Sequence, residues 1–417
     1  MDEIKVLSLF SGCGGMDLGF EGDFSVHKKS VNPDILSICK KSKNSSWIRL
    51  PRTKFKISFA NDILREAKAA YVPFFNNRGS KHSFVSESIV DLVKKAESGQ
   101  FQFPNIDVVI GGFPCQDFSL AGKRLGLNSH KSHTGAIESE IPNEENRGQL
   151  YIWMKKVIEL TKPRVFIAEN VKGLVSLGDV KKIIENDFRK IDDGYVVLDA
   201  KVLHAGNYGV PQTRERVIFI GFNKKYLTKK AISDLENGII DPYPPKTHSL
   251  PNEQNEKLLP FVSVADVLLD LPEPDDAVDL AQKAYSKAKY YGKHVQGQLE
   301  VNLQSLGPTI RAEHHGNIEF RRLDIQLGGK YPDEIKSGKK QRRLTVRECA
   351  RIQTFPDEYE FIREKNVLGS DFSLSPSNAY KVIGNAVPPL LGFNIAWNLQ
   401  QKWDQIFNEN LNDNNTK

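Results

Sequence analysis

Five short apolar segments alternate with helix-like stretches in the first 221 residues, and this alternation most limits the possible folds. The apolar segments are residues 5–9, 57–60, 107–110, 165–168 and 217–221. The helix-like stretches are residues 64–71, 86–95, 150–160 and 180–189. Short apolar strands separated by helices are typical of a mostly parallel sheet with helices on its faces. The sequence therefore predicts an α/β fold of the doubly wound type.

Composition and cysteine spacing exclude several classes of protein. No apolar run reaches the roughly 18 residues of a membrane span, so none is predicted. The acidic N-terminus lacks the basic segment and cleavage site of a signal peptide. The four cysteines lie far apart without a CxxC pair, so neither a metal site nor a disulfide framework is expected, and a cytoplasmic setting is favoured. The net charge of +6 is compatible with a polyanionic partner.

The second half of the chain has a different texture. Residues 241–260 are rich in proline and polar residues and predict an irregular segment. Residues 266–279 hold six acids and no base, whereas residues 311–347 hold ten bases against five acids. This separation of charge indicates a unit with a different purpose from the sheet. A helix-like stretch follows at residues 388–399.

Two of the strand ends favour a nucleotide-type ligand. Residues 10–15 form the turn Phe-Ser-Gly-Cys-Gly-Gly, whose glycines allow close approach to the backbone. Because the turn lacks GxGxxG spacing, a ligand there is expected to lack a diphosphate, and a purely structural turn is the alternative. Asp62, after the second strand, could accept hydrogen bonds from ribose hydroxyls. It could equally cap the helix that follows, and the sequence leaves both readings open.

Three further strand ends carry reactive groups. Cys115 follows the third strand in a Pro-containing turn, which suits an accessible thiolate, although free cysteines are more often buried. Glu169 ends the fourth strand, where partial burial would raise its pKa and let it donate a proton; helix capping is the alternative. Arg214 and Arg216 stand two apart beside a strand, so they face one side and suit phosphate or carbonyl oxygens. Surface arginines with no role are the alternative there.

In this order, the segments resemble the DNA cytosine-5 methyltransferases of bacterial restriction–modification systems, which use S-adenosylmethionine. The matching motifs are FSGCGG (10–15), FANDI (59–63), GGFPCQDFS (111–119), RGQL (147–150), AENVKGL (168–174), QTRER (212–216), RRLTVRECARIQTFPD (342–357) and NAYKVIGNAVPP (378–389). Each motif alone is weak, but the joint pattern across nearly the whole chain is specific. The resemblance implies a Rossmann-like methyltransferase sheet domain with a smaller, irregular target-recognition domain.

The resemblance also implies domain boundaries. Residues 1–222 would form the catalytic and cofactor-binding domain, and residues 223–341 the target-recognition domain. Residues 342–375 would form a hinge and return segment, and residues 376–417 would complete the catalytic domain. Residues 23–57 are longer than usual between the first two motifs and look like an insertion.

Carried over residue by residue, the resemblance implies an S-adenosylmethionine site. Phe10 would pack on the adenine, and the backbone of residues 12–15 would line the methionine part. Asp62 stands where the family usually has glutamate on the ribose, and Ser88 stands near the place of its Gly-Asp-Ile motif. The implied cofactor-binding residues are Phe10, Ser11, Gly12, Gly14, Gly15, Asp62, Ile63, Ser88, Leu150 and Asn385.

The resemblance implies the catalytic groups as well. Cys115 would be the nucleophile, Glu169 would contact N3 and the amino group of cytosine, and Arg216 would bind O2 with Arg214 beside it. Gln116 and Asn385 would arrange groups and water near C5. Cytosine C5 is a poor nucleophile until a thiolate adds to C6 and N3 receives a proton, so these residue types suit the reaction. The base must leave the duplex to reach them.

Duplex DNA is the implied partner. Target recognition would lie between residues 223 and 341, with residues 311–347 supplying positive charge for phosphates and bases. The polar, Lys- and Gly-rich loop after Cys115 would close over the flipped base. The implied DNA-binding residues are Ser119, Lys123, Arg124, Thr309, Arg311, Arg321 and Arg322, whereas His314 and His315 are more often merely polar at a surface.

Two other functions stay open at this point. A tRNA cytosine-5 methyltransferase would use the same scaffold, although the long basic recognition region favours duplex DNA. An inactive methyltransferase-like DNA-binding protein is a non-enzymatic alternative, against which Cys115, Glu169, Arg214 and Arg216 argue. The leading expectation is a monomeric cytoplasmic enzyme functionally paired with a cognate restriction endonuclease. No residue code translates the recognition region into a target sequence.

Overall fold

The computed structural model describes residues 3–42, 44–79, 83–114, 150–191, 194–253, 255–312, 318–363 and 374–407. The strands in these ranges are β1 Ile4–Leu9, β2 Ser25–His27, β3 Lys40–Lys41, β4 Trp47–Arg49, β5 Phe55–Asn61, β6 Ser83–Val85, β7 Val108–Gly112, β8 Val165–Val171, β9 Tyr195–Val197, β10 Lys201–His204, β11 Glu215–Asn223, β12 Phe320–Arg322 and β13 Arg342–Arg343. The α-helices are α1 Gly15–Glu21, α2 Pro33–Leu36, α3 Arg65–Asn77, α4 Ile89–Glu97, α5 Leu150–Thr161, α6 Val180–Arg189, α7 Lys229–Glu236, α8 Val264–Leu268, α9 Leu280–Lys283, α10 Pro332–Lys336, α11 Val346–Ile352, α12 Pro376–Asn385 and α13 Pro389–Phe407.

Eight strands form one central sheet in the order β10–β11–β8–β7–β1–β5–β6, with β9 also paired to β11. The pairs β7–β8, β1–β7, β1–β5 and β5–β6 are parallel. β11 pairs antiparallel with β8, β9 and β10. The expected mostly parallel α/β sheet is therefore confirmed. Its last predicted segment, residues 217–221, lies in the antiparallel strand β11.

Two apolar layers cover the faces of the sheet, because successive strand residues point to opposite sides. Val6 and its neighbours on one face pack with Leu18 of α1 and Phe393 of α13. Leu7 and its neighbours on the other face pack with Met154 of α5 and with residues of α4 and α6. Full burial of each such side chain contributes about 1.5–3 kcal/mol, so these layers supply much of the folding free energy.

The C-terminal segment returns to the start of the sheet. The hydroxyl of Tyr359 donates a hydrogen bond to the carbonyl of Cys13 (2.7 Å), and the Cys13 thiol contacts the carbonyl of Val382 (3.2 Å). Helix α13 packs along α1. The glycine-rich turn is therefore held in place by residues more than 340 positions away in the chain.

The region predicted to read DNA is mostly irregular, with short helices and a two-stranded ribbon of β12 and β13. Its first part nevertheless belongs with the sheet. Helix α7 packs on β9 and α13, and the hydroxyl of Tyr243 donates to the carbonyl of Ile218 (2.9 Å). Asn398 of α13 donates to the carbonyl of Tyr243 (3.0 Å). Residues 229–243 are thus fastened to the catalytic sheet, some twenty residues beyond the boundary expected at position 223.

The segment expected to be an insertion, residues 23–57, contains a small sheet in the order β2–β4–β3. This sheet contacts the region predicted to read DNA. Lys29 forms an ion pair with Asp266 (2.7 Å), and the indole N–H of Trp47 donates to Asp270 (3.1 Å). The insertion therefore links the start of the catalytic domain to the acidic stretch at residues 266–279.

The acidic and basic stretches pair with each other, which corrects part of the sequence interpretation. Glu273 binds Arg322 (2.7 Å) and Arg342 (3.1 Å), and Asp279 binds Arg347 (2.6 Å). These three guanidinium groups are buried, and a buried charge is tolerated only when it is paired. The basic run at residues 311–347 thus largely neutralises acids inside the unit instead of presenting its charge to a partner.

Arg321 and Arg322 were expected to contact DNA, and their burial does not support that expectation. Arg321 is buried and pairs with Glu334 (3.2 Å), and Arg322 reaches both Glu273 and Glu334. A guanidinium that is already desolvated and paired cannot also neutralise a phosphate at the surface without breaking an internal contact. The sequence pattern misled because charge separated along the chain can be adjacent in the fold.

Within the described ranges, no helix combines the length and the apolar character needed to cross a membrane.

Candidate active site

The strand ends that carry the predicted site residues meet at one edge of the sheet. β1, β5, β7 and β8 are parallel, so their carboxyl ends lie together. The chain moves from β1 to β5 on one side and returns to β7 on the other, and the crevice at such a reversal is where α/β sheets bind ligands. β11 runs the opposite way, with Arg216 opposite Val171, so its first residues reach the same edge.

The glycine-rich turn and Asp62 are bonded to each other. The backbone N–H of Gly12 donates to Asp62 Oδ2 (2.8 Å), and the N–H of Leu64 donates to Oδ1 (2.8 Å). Asp62 therefore caps the entry to α3 and also holds the turn, and each oxygen keeps a lone pair for a further donor. Burial raises the pKa of Asp62 to about 6.

The glycines of the turn have different surroundings: Gly12 lies beside open space, whereas Gly14 and Gly15 are closely packed. Gly12 has a positive φ of 55°, and a Cβ there would meet open space. By contrast, a Cβ at Gly14 would lie 2.4 Å from the Phe75 ring, and one at Gly15 would lie 2.2 Å from the Val387 carbonyl oxygen. Gly12 faces the crevice, whereas Gly14 and Gly15 are small because other elements pack closely on them.

Phe10 has a strained backbone at the mouth of this crevice. Its φ of 52° is rare for an aromatic residue and costs on the order of 1–3 kcal/mol. Its ring is partly buried against the apolar layer that contains Leu7. Such strain clusters at functional sites, where the surrounding structure maintains it.

The remaining predicted cofactor residues lie at element ends. Ser88 caps α4, its hydroxyl oxygen accepting the N–H of Val90 (3.2 Å), which leaves its own proton free to donate. Ile63 is exposed beside Asp62, and Leu150 is buried at the first residue of α5. Asn385 is exposed at the last residue of α12. Their contacts with a cofactor stay predictions.

Sequence reasoning missed a buried acid beneath the turn. Asp17, in the first turn of α1, accepts hydrogen bonds from the hydroxyls of Ser8 (2.7 Å) and Tyr71 (2.9 Å). The hydroxyl of Ser11, in the turn itself, donates to the Ser8 hydroxyl (3.0 Å). Burial raises the pKa of Asp17 to about 6. The acid in the apolar GGMDLGF segment could have indicated a buried carboxyl. Its hydrogen-bond partners, however, come from β1 and α3 and cannot be read from that segment.

Replacing Asp17 with asparagine should change how stability depends on pH. The pKa of Asp17 is 3.8 before folding and about 6 in the folded protein. Each pKa unit of difference changes the free energy of unfolding by about 1.4 kcal/mol, which gives about 3 kcal/mol in all. Because the folded protein holds this proton more tightly, its contribution to stability is full below pH 4 and is lost as the pH rises through about 6. Asp17→Asn should therefore gain stability relative to the wild type by about 3 kcal/mol between pH 4 and 8.

Urea unfolding of both proteins across that pH range measures this difference. The matched control is Asp34→Asn, which removes an exposed carboxylate in the first turn of α2. Its free energy of unfolding should stay a constant distance from that of the wild type. If the free energy of unfolding of Asp17→Asn varied with pH in parallel with that of the wild type, Asp17 would not be a buried acid with a raised pKa.

Glu169 and Arg216 form a buried pair at the strand ends. The Nε of Arg216 lies 2.7 Å from Glu169 Oε1, and both side chains are about one-tenth exposed. Burial raises the pKa of Glu169, and the charges of Arg216 and Arg214 oppose that rise. A Cβ at Gly112, on the adjacent strand, would lie 2.6 Å from Glu169 Oε2. The carboxyl is thus fixed in direction, and its burial favours the protonated form.

Asn170 bonds this strand end to the neighbouring strand. Its side-chain N–H donates to the carbonyl of Phe113 (3.2 Å), and its oxygen accepts the N–H of Val171 (2.8 Å). Asn170 is buried. The backbone two residues before position 115 is therefore bonded to the strand that carries Glu169.

Arg214 has different neighbours from Arg216. Its guanidinium donates to the carbonyls of Ile310 (3.0 Å) and Gly384 (2.9 Å), and the residue is 1 % exposed. These bonds join the strand that carries Arg216 to the region predicted to read DNA and to the end of α12 beside Asn385. These contacts support a positioning role for Arg214. Contact of Arg216 with the O2 atom of cytosine, with Arg214 beside it, stays a prediction.

A buried glutamine pair extends this junction and was also missed. Gln212 accepts the N–H of Ile310 (3.0 Å) and donates to Gln353 (2.8 Å), which donates in turn to the carbonyl of Ile383 (2.7 Å). The hydroxyl of Thr309 donates to the carbonyl of Thr213 (2.5 Å). The QTR and RIQ segments were visible in the sequence, but no pattern shows that they pair across 141 residues.

Several predicted site residues lie outside the described residues. These are Cys115, Gln116, Ser119, Lys123 and Arg124. His314 and His315, which were set apart as merely polar, also lie outside the described residues. Arg311 is described and forms an ion pair with Glu319. Contacts of all these residues with DNA or cytosine stay predictions.

The comparison with protein families decides the identity of the chain. The family model of the C-5 cytosine-specific DNA methylases matches residues 4–401, which includes the sheet, the crevice and the returning helices. The chain belongs to this family. It is a DNA cytosine-5 methyltransferase, and the sequence-based recognition is confirmed.

Curated relatives agree with this family across the length of the methylase. The Type II methyltransferase M.BspRI of Lysinibacillus sphaericus is 32 % identical over 412 residues, covering 96 % of this chain and 82 % of that protein. M.BsuRI of Bacillus subtilis, also a Type II methyltransferase, is 31 % identical over 410 residues, covering 95 % of this chain and 79 % of that protein.

Solved structures share the fold of this methylase at low identity. The S. pombe Dnmt2 methyltransferase has a TM-score of 0.53 at 14 % identity, covering 96 % of this chain and 99 % of that one. A mutant of the Spodoptera frugiperda DNMT2 has a TM-score of 0.51 at 15 % identity, covering 98 % and 100 %. The predicted methyltransferase fold is thereby confirmed.

Proposed function

We propose that this chain methylates C5 of one cytosine within a specific short duplex sequence, using S-adenosylmethionine, base flipping and a covalent adduct between Cys115 and C6. The observation that carries the proposal is the buried Glu169–Arg216 pair at the strand ends. One member is an acid with a raised pKa and the other a fixed cation, which suits N3 and O2 of a cytosine.

The steps follow from the chemistry of the ring. The Cys115 thiolate adds to C6 while Glu169 gives its proton to N3, so electron density moves to C5. Arg216 stabilises the charge that develops on O2. After methylation at C5, water takes the C5 proton, the thiolate leaves C6, and N3 returns its proton to Glu169, which restores the neutral aromatic ring and the enzyme. A base within a duplex is out of reach of these groups, so the target cytosine must turn out of the helix.

The residues of the crevice fit S-adenosylmethionine, which supplies the methyl group when bound. Open space beside Gly12 leaves room near the backbone, and the strained Phe10 offers its ring at the mouth. Asp62 keeps lone pairs for ribose hydroxyls, although it is one methylene shorter than the family's usual glutamate. These observations support the proposed contacts of residues 10–15 and Asp62.

The state of the other cysteines supports Cys115 as the nucleophile. Burial raises the pKa of Cys13 and Cys349 far above the range in which a thiolate forms, and raises that of Cys39 to about 11. A nucleophilic cysteine needs access and a lowered pKa. None of these three meets that requirement. Cys115 follows β7 in the sequence, and Gly112 at the end of β7 pairs with Glu169 of β8.

The biological setting is proposed from the relatives. Because curated relatives are Type II methyltransferases, we place this enzyme in the bacterial cytoplasm, protecting DNA from a cognate restriction endonuclease. We propose that it acts as a monomer, with residues 244–341 reading the target and residues 229–243 serving as an anchor on the sheet.

The proposed function is tested by incubating the chain with labelled S-adenosylmethionine and either duplex DNA or tRNA. Label should enter duplex DNA at 5-methylcytosine and should not enter tRNA. Label confined to tRNA would favour the tRNA methyltransferase instead. Binding of DNA without transfer would favour the inactive DNA-binding protein.

A further inference from the structure

The internal pairing of the arginines raises the question of which basic residues remain for DNA. Residues 285–299, which we call the lysine–tyrosine loop, contain three lysines, three tyrosines and no acid. Lys287, Lys289 and Lys293 are exposed, and none forms an ion pair with a described residue. This contrasts with Arg321 and Arg322, whose guanidinium groups are buried against acids.

The loop has a rigid base. The buried guanidinium of Arg343 donates to the carbonyls of Ala288 (2.9 Å), Lys289 (2.8 Å) and Gly297 (2.7 Å), and it lies over the ring of Phe320. The N–H of Tyr291 donates to the side chain of Gln298 (2.9 Å). One buried cation therefore holds both ends of the loop, so its exposed lysines are presented on a preorganised backbone.

The loop base and the active-site junction are bonded to positions only eight residues apart in the chain, Ile318 and Ile310. Arg343 also donates to the carbonyl of Ile318, so the base of the loop is bonded to residue 318. At the active-site junction, Arg214 donates to the carbonyl of Ile310. The backbone of Arg311 packs on Gly384, where a Cβ would lie 2.2 Å away.

The chemistry of the exposed surface matches a nucleic acid backbone. Lysines supply point charges for phosphates, and tyrosine hydroxyls are common donors to phosphate oxygens. Tyr291 is 62 % exposed, so its hydroxyl is accessible to a phosphate oxygen. Exposed lysines can also serve solubility alone, but that role does not require a backbone fixed in one conformation. Here the buried Arg343 guanidinium fixes the backbone at both ends of the loop.

From these observations we infer that the lysine–tyrosine loop binds the phosphate backbone of the duplex, through Lys287, Lys289, Lys293 and Tyr291. This inference rests on the proposed function and assigns the electrostatic contact of the recognition region to a part of the chain that sequence reasoning passed over. The loop sets affinity and docking, whereas base reading lies elsewhere, since lysine contacts to phosphates carry no sequence information.

The test uses the full-length enzyme with Lys287→Gln, Lys289→Gln and Lys293→Gln combined. Binding is measured by fluorescence anisotropy, at several KCl concentrations, on a duplex cut around a site that the wild type methylates. Each lost lysine–phosphate contact should reduce the slope of log K against log[salt] by about 1, so the triple variant should lose about 3. The KM for DNA should rise, while kcat and the KM for S-adenosylmethionine stay unchanged.

The matched control combines Lys5→Gln, Lys190→Gln and Lys229→Gln. These three lysines are also exposed, and they lie at the start of β1, the end of α6 and the start of α7, at the opposite edge of the sheet. The control makes the same change in net charge as the loop variant. Because its three lysines lie away from the loop, the slope of log K against log[salt] should match that of the wild type. Equal slopes for both triples would show that only total charge matters and would overturn the inference.

Other outcomes separate the inference from the proposed function. If the wild type methylates duplex DNA and the loop variant binds and methylates as the wild type does, the inference fails alone. If the loop variant loses self-association in sedimentation without losing DNA affinity, the loop joins copies of the chain and the inference fails. If the wild type itself transfers no methyl group to DNA, the proposed function fails, whatever the loop does.

Discussion

Replacing Cys115 with alanine should abolish methyl transfer and the covalent complex with DNA. Without a thiolate to add at C6, C5 stays a poor nucleophile, and the loss should be on the order of 10⁴-fold or more. Duplex DNA containing 5-fluorocytosine tests the adduct directly. Fluorine cannot leave C5 as a proton does, so the wild-type complex should persist through denaturing electrophoresis, and the variant complex should not.

The matched control is Cys39→Ala. The Cys39 thiol is partly buried, contacts the carbonyl of Ile35 (3.2 Å), and burial raises its pKa to about 11. This variant should trap 5-fluorocytosine DNA and methylate normal DNA as the wild type does. A covalent complex that survives in Cys115→Ala would assign the nucleophile to another residue.

Replacing Glu169 with glutamine should lower kcat by about 10²- to 10⁴-fold, the range expected for loss of a general acid. Glutamine keeps an oxygen for the Nε of Arg216, so that guanidinium should stay in place. DNA affinity should therefore change little. Single-turnover methyl transfer, measured beside equilibrium DNA binding, separates these two effects.

The pH profile provides a second readout for Glu169. Burial raises its pKa, so the carboxyl should hold its proton to higher pH than an exposed glutamate. Transfer by the wild type should then fall as the pH rises through that pKa, because less of the acid form is present. The glutamine variant has no proton to lose there, and its residual activity should lack this fall.

Glu185→Gln is the control for removing a buried carboxylate. Glu185 is buried on α6, pairs with Lys181 (3.3 Å) and accepts the N–H of Ala200 (2.9 Å), away from the strand ends. Its replacement should affect stability more than kcat. Equal losses of kcat in both variants would mean that Glu169 acts on the fold and not on the cytosine.

Local sequence was sufficient for the elements that carry the site. Short apolar runs could be assigned to strands because a buried parallel strand needs no polar face. Residues just after those runs, such as Phe10, Asp62 and Glu169, could then be assigned to one edge because parallel strands end together. These assignments need only spacing along the chain and the repeat of the strand.

Local sequence was insufficient wherever a contact joins distant segments. In the sequence, Asp17 looks like an ordinary helix residue, but in the fold it accepts a hydrogen bond from Tyr71. Gln353 looks like a surface amide, but it accepts a hydrogen bond from Gln212. Asp62 shows the same limit, because the helix cap and the holding of the glycine turn are made by one carboxylate. Sequence reasoning treated ribose binding and helix capping as alternatives and did not predict the bond from Asp62 to the glycine turn.

By itself, the sequence determined the fold class and the family, because these depend on short motifs in a set order. Only the tertiary structure showed which charged side chains pair with each other inside the protein. Acids at residues 266–279 and arginines at residues 322–347 are separated in the chain but adjacent in the fold, where burial requires each guanidinium to find a partner. The same folding leaves Lys287, Lys289 and Lys293 exposed and without an ion pair among the described residues, a difference from the arginines that charge counting along the chain does not reveal.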